Sequence, residues 1–150
     1  MLLQDFLDPR ATSFALAAGT KDELLDEMVA LLRLPARPTA ALSLIVRRRE
    51  QMGSTGFGRG IAIPHARSLV VNRLRMAFGY HHRGVDYAAV DHAPVHAVFL
   101  IVAPPHEVSN QYLPVLGKVA QLCQHADTAE RLRGLRSPEE LFAFLRERGV

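Results

Sequence analysis

Met52-Gly-Ser-Thr-Gly-Phe-Gly-Arg-Gly-Ile-Ala-Ile-Pro-His-Ala-Arg67 concentrates the chemistry of this 150-residue chain in one segment. Four glycines fall between positions 53 and 60, a density that predicts loop. Ile61-Ala-Ile63 reads as a short strand, which Pro64 ends just before His65. A P-loop requires Gly-Lys-Ser/Thr at the end of its glycine loop and a helix behind it, whereas here Gly60 runs into Ile-Ala-Ile-Pro. A dinucleotide fingerprint must also open a helix, and Pro64 argues against one. What remains is a loop rich in free N–H groups, Gly56 among them, of the kind that forms anion-binding concavities. Arg49, Arg67 and the hydroxyls of Ser54 and Thr55 add charge and hydrogen bonds. A histidine in that setting suits phosphoryl transfer, because neutral imidazole is nucleophilic at physiological pH and surrounding donors stabilise the transferring group. The residues alone leave two readings open. His65 is either a nucleophile or a structural histidine after a strand, and the glycines serve either an anion or a tight turn.

Working outward, Thr20-Lys21-Asp22-Glu23 is a capping box, and Leu24, Leu25, Met28, Leu31 and Leu32 follow as one apolar stripe. They predict a helix over about 21–33. Pro35 and Pro38 interrupt it, and Pro38 can open a second helix that runs to about Glu50. A strand is expected near Ser13–Leu16, with others at Arg75–Tyr80 and Val95–Ala103. The last is a near-continuous apolar run, as a central strand covered on both faces requires. Helices resume near Ser109, where Tyr112, Leu113, Leu116, Val119, Ala120 and Cys123 recur at helical spacing and Pro114 falls in the first turn. A short helix over about Thr128–Leu135 precedes a second capping box, Ser137-Pro-Glu-Glu140, which opens the last helix. Helices before and after a run of strands predict one α/β domain over 1–150, a sheet with helices on both faces.

Composition narrows the class. The chain is 49% hydrophobic and 22% charged, as expected of a globular protein with a real core. No apolar run approaches the roughly 20 residues of a membrane span, so no membrane insertion is expected. The opening residues carry acids and no basic cluster, unlike a signal peptide, so a cytoplasmic location is expected. The single cysteine, Cys123, excludes an internal disulfide and sits on an apolar helix face as a small hydrophobe. A net charge of +3 is mild, and Arg47-Arg48-Arg49 lacks interleaved aromatics, so it reads as a solvated helix end rather than a nucleic-acid patch. His81, His82, His92 and His96 do not make a metal site by spacing. Pro94 breaks any helix shared by His92 and His96, and on a strand that pair stands about 13 Å apart. No metal and no cofactor are expected.

The quoted segment resembles the active-site signature of type-2 enzyme IIA domains of the bacterial phosphotransferase system, the fructose/mannitol/nitrogen-regulatory family. In that pattern a Gly-Ser-Thr-Gly-x-Gly-x-Gly loop leads into a hydrophobic strand and Pro-His-Gly/Ala. Arg49-Glu50 before the loop, Val85-Asp86-Tyr87, Asp91-x-x-Pro94-Val95, and Arg131-Leu-Arg through Ser137-Pro-Glu-Glu-Leu141 extend the resemblance from about Thr20 onward. It implies a three-layer α/β/α sandwich around a mixed sheet. It also implies that His65 receives a phosphoryl group from phosphorylated HPr or its nitrogen-branch counterpart. The Gly-Ser-Thr-Gly wording is most similar to the nitrogen-regulatory branch, whose members act through phosphorylation-dependent contacts with other proteins in potassium and nitrogen control. The alternatives are a sugar-specific subunit that hands phosphate to a IIB partner, and a binding module without relay activity. One departure stands out. The family's second active-site histidine precedes a leucine at the start of the helix after the central strand, and here Tyr112 occupies that place before Leu113. Tyrosine donates a hydrogen bond but presents no imidazolium. Arg67 is a compensating charge, and His106, in the loop after Pro104-Pro105, is a second candidate replacement.

Overall fold

The computed structural model describes residues 1–107 and 110–150. Its centre is β6 (Val95–Ala103), whose side chains alternate between two cores. Ala97, Phe99 and Ile101 face one cluster, and Val98, Leu100 and Val102 face the other, the period of two that a strand buried on both sides demands. β5 (Arg75–Val85) lies antiparallel on one edge of β6 and carries β1 (Leu7–Ser13) in parallel beyond it. The other edge of β6 pairs in parallel with two short strands in succession, β3 (Ile61–Ala62) and β4 (His65–Arg67), and β2 (Gly56–Gly58) returns antiparallel on β3. The sheet is therefore mixed and six-stranded, in the order β1-β5-β6-β3-β2 with β4 on β6.

α1 (Lys21–Ala30) and α2 (Ala36–Gln51) cover one face through Leu24, Leu25, Met28, Leu42 and Val46. α3 (Tyr112–Gln124), α4 (Thr128–Arg133) and α5 (Pro138–Glu147) cover the other through Val115, Val119, Leu122, Leu132, Leu141 and Phe144. This is the expected three-layer arrangement. Both predicted caps form. The Thr20 hydroxyl accepts from Glu23 N–H and that of Ser137 from Glu140 N–H. The glutamates reach one residue further back than a capping box requires, accepting from Gly19 and Arg136 N–H groups.

Several expectations need correction. The first strand is not Ser13–Leu16 but Leu7–Ser13, tied to β5 with a register shift between Leu7 and Thr12 that accommodates Pro9. α1 ends at Ala30, and α2 starts at Ala36 with Pro35 as its cap, so Pro38 sits inside the first turn rather than opening it. β5 continues past Tyr80 to Val85. α4 stops at Arg133, two residues short of expectation. The expected resumption of helix near Ser109 lies outside the described residues, and α3 is helical from Tyr112 with Pro114 in its first turn.

The segment 53–60 is not wholly loop. Gly58 pairs with Ile61, which leaves Arg59 and Gly60 as a two-residue hairpin turn with φ of 58° and 79°. Positive φ at both central residues is what a primed hairpin turn requires. Arg59 tolerates it because its N–H donates to Asp91 Oδ2 at 2.9 Å and its guanidinium to Gln124 O at 2.8 Å.

Candidate functional site

The site begins with the pairing of β4 on β6. His65 lies beside Ile101 and Arg67 beside Ala103, two apart on one strand, so both side chains leave the same face. Ala66 between them points into the core under α1 and α2. On the His65 side stands the first residue of α3. The Tyr112 ring lies 6.2 Å from the His65 ring, centre to centre, and the Arg67 guanidinium sits 4.3 Å over the Tyr112 ring. Arg67 Nη1 also donates to Pro104 O at 3.0 Å, which holds the cation between a carbonyl and a π face.

His65 is half-buried, and its Nδ1 lies 2.7 Å from Ile63 O. A carbonyl only accepts, so Nδ1 carries the proton and donates. In the neutral ring the lone pair is then on Nε2. Ile63, which precedes proline, is held extended, and its N–H donates to Thr55 O at 3.0 Å. The Pro64 carbonyl accepts from Ile101 N–H at 3.0 Å, which clamps the turn to the central strand.

Tyr112 is nearly buried, and its backbone N–H donates to Glu107 Oε1 at 2.6 Å. Burial, the largest influence, pushes its phenol above the ordinary value, while the Arg67 and Arg49 guanidiniums pull it down. Arg49, on the last turn of α2, donates to Gly53 O at 3.0 Å.

The hydroxyls of Ser54 and Thr55 serve the protein. Ser54 Oγ accepts from Gly56 N–H at 3.0 Å, and Thr55 Oγ1 bonds Glu50 and Tyr87 Oη. Gly56 is needed for space, because a Cβ there would lie 2.6 Å from Ala89 Cβ. Arg67 thus lies over Tyr112, whose ring neighbours that of His65, while Arg49 stays at the end of α2, and Ser54, Thr55 and Gly56 form the frame of the glycine segment. His106 is exposed in the bend after β6, and it is Tyr112 whose ring stands next to His65. Three further histidines are held by backbone carbonyls: His81 by Ala18 O, His82 by Phe14 O and His96 by His81 O. His81 is buried.

Sequence reasoning assigned no role to Glu50, Lys21 or Tyr87. Glu50 is buried, and its carboxylate accepts from Thr55 N–H at 3.2 Å, from Tyr87 Oη at 3.0 Å and from Lys21 Nζ at 2.9 Å. Burial and the Glu50 charge push the Tyr87 phenol well above its ordinary value. The signal for Glu50 was present. It lies in phase with Leu42 and Val46 on the helix, eight residues after the first and four after the second, so a charge falls in the buried stripe of α2.

Comparison with known proteins agrees with this architecture. Residues 5–148 match the family model described as phosphoenolpyruvate-dependent sugar phosphotransferase system, EIIA 2. The nitrogen regulatory protein of Bradyrhizobium diazoefficiens is 30% identical over 97% of this chain and 95% of its own length. The fructose-specific EIIABC component of Bacillus subtilis is 29% identical over 98% of this chain, which corresponds to 23% of that longer protein. The crystal structure of nitrogen regulatory protein IIA-Ntr from Neisseria meningitidis superposes with a TM-score of 0.85 at 30% identity, over 94% of this chain and 97% of that one. A chain matched from end to end in both sequence and fold belongs to the type-2 EIIA family, a phosphoryl-transfer component of the phosphotransferase system.

Proposed function

We propose that this protein is a regulatory phosphoryl carrier that takes its phosphoryl group on His65 Nε2 from a phosphorylated HPr-type protein, including the nitrogen-branch form. The observation that carries the reading is the 2.7 Å contact between His65 Nδ1 and Ile63 O. With Nδ1 donating, the Nε2 lone pair attacks the donor's phosphorus while the donor's P–N bond breaks and its electron pair returns to the donor nitrogen. The new Nε2–P bond draws positive charge onto the ring, and Nδ1–H then makes a charge-assisted bond to the carbonyl already in place. Arg67 and Arg49 offset the negative charge spread over the transferring oxygens.

Similarity to nitrogen regulatory proteins over nearly the full length favours a carrier that acts by phosphorylation-dependent contact with other proteins, in nitrogen and potassium control and in the cytoplasm. Among the described residues no helix is long and apolar enough to cross a membrane. The fructose-specific relative supports a second reading, in which the phosphoryl group passes on to a IIB partner. Tyr112 supports a third, a binding module without relay activity.

After incubation with a phosphorylated HPr-type donor, long-range proton–nitrogen spectra of the phosphorylated protein should place the phosphoryl group on Nε2 of His65. A group on Nδ1 contradicts the proposed chemistry. No group at all from several such donors favours the silent binding module.

A further inference from the structure

Glu50 lies below the site and touches none of its reacting atoms, yet the bonds it makes lead to His65 without a break. Its carboxylate is 4% exposed and meets four protein donors: Lys21 Nζ, Tyr87 Oη, the Thr55 N–H and the Thr55 hydroxyl. Lys21 is itself braced, 4.3 Å over the Tyr87 ring. A buried carboxylate is tolerable only when its oxygens are satisfied in this way, and removal of a partner then leaves an uncompensated group. Thr55 is consequently held by both its N–H and its side chain. Its carbonyl accepts from Ile63 N–H at 3.0 Å, and the Ile63 carbonyl accepts from His65 Nδ1 at 2.7 Å. Successive bonds use different peptide planes of the same residue, so the coupling is positional: displacement of Thr55 moves Ile63 and with it the acceptor that Nδ1 meets among the described residues.

We propose that Glu50 is a positioning residue for His65, acting through Thr55 and Ile63 to keep the ring in its Nδ1–H form with the lone pair on Nε2. Lys21 and Tyr87 are the groups that hold Glu50 in place. The inference rests on the phosphoryl-carrier reading for its consequence, but not for its first observable. Four separate segments contribute: Lys21 opens α1, Glu50 lies in the last turn of α2, Thr55 precedes β2 and Tyr87 lies two residues past β5. The arrangement ties the reactive ring to the packing of the α1–α2 layer against the sheet.

The test uses wild type, Glu50→Gln, Glu50→Ala and Tyr87→Phe in the full chain, each first checked for cooperative thermal unfolding. Long-range proton–nitrogen spectra of the unphosphorylated protein report the tautomer of His65. The wild type should be mainly Nδ1–H. Glu50→Gln should give a mixture with Nε2–H, and Tyr87→Phe a smaller change in the same direction. Transfer from a phosphorylated HPr-type donor should then show kcat lower by about tenfold in Glu50→Gln with KM within about twofold, because misplacement of a reacting group costs rate rather than docking. If Glu50→Ala does not fold, the other two variants decide. Folded variants with the wild-type tautomer ratio and kcat, differing only in thermal midpoint, overturn the proposal and leave Glu50 a stability residue. Failure of the carrier reading is a separate result: wild type then takes no phosphoryl group from any donor, while the tautomer ratios still decide the role of Glu50.

Discussion

Arg67 supplies a cation beside the ring that we propose carries the phosphoryl group. It is exposed, yet pinned by Pro104 O and by the Tyr112 ring beside His65. Its guanidinium presents a planar fork of N–H donors that suits the oxygens of a phosphoryl group. Arg67→Gln should therefore slow phosphoryl acceptance by about 100- to 1,000-fold, the range seen when one charge-stabilising donor is lost. Tyr112→Leu should slow it less, by releasing Arg67 from a contact worth about 0.5–2 kcal/mol. Rapid-quench transfer assays measure both, and equal effects would mean that Tyr112 does more than hold Arg67. At this scale the sequence was partly legible. The placement of His65 after a strand-ending proline, with Arg67 two residues on and on the same face, follows the local sequence. The hydroxyls of Ser54 and Thr55 read as anion donors, but hydrogen bonds to Glu50, Tyr87 and Gly56 depend on distant segments that meet only in the fold.

The hairpin β2–β3 shows where element-level reading reached its limit. Four glycines signalled loop, but Arg59-Gly60 forms a two-residue turn with positive φ at both positions, and arginine is a poor advertisement for such a turn. Gly56 is constrained differently, by the approach of Ala89. Gly56→Ala should lower stability by about 1–3 kcal/mol, the cost of overpacking, as measured by chemical denaturation. A change of a few tenths would mean that the Ala89 segment yields freely. β1 escaped detection for a related reason. Leu7-Asp-Pro-Arg-Ala-Thr-Ser13 alternates poorly and contains a proline, the mark of an edge strand, and its register shift has no sequence signal. The capped helices α1 and α5 and the apolar strand β6, by contrast, carry local signals that tertiary packing does not override.

For the whole molecule, layering was legible and strand order was not. The apolar run of β6 between flanking helices implies coverage on both faces, while pairing of β3 and β4 in succession along one edge of β6 is set by the Ile63–Pro64 turn. The two cores also fix a response to pH. Burial pushes the Cys123 thiol from 9.0 to about 12, and Tyr87 rises above its ordinary value as well. The unfolded chain releases these protons first, so stability is full below about pH 9 and is lost as pH climbs from there toward 12. Each such group contributes a slope of at most about 1.4 kcal/mol per pH unit. Cys123→Ala should make the decline shallower in denaturant titrations between pH 9 and 11, although its stability at pH 7 falls by about 1 kcal/mol. An unchanged slope would remove Cys123 as a source. The account as a whole rests on His65 as the carrier of one phosphoryl group per chain. Intact mass under alkaline conditions, after incubation with phosphoenolpyruvate, enzyme I and an HPr-type protein, tests that most directly. The wild type should gain one phosphoryl group and His65→Ala none; a gain that survives in His65→Ala would contradict the role proposed for His65.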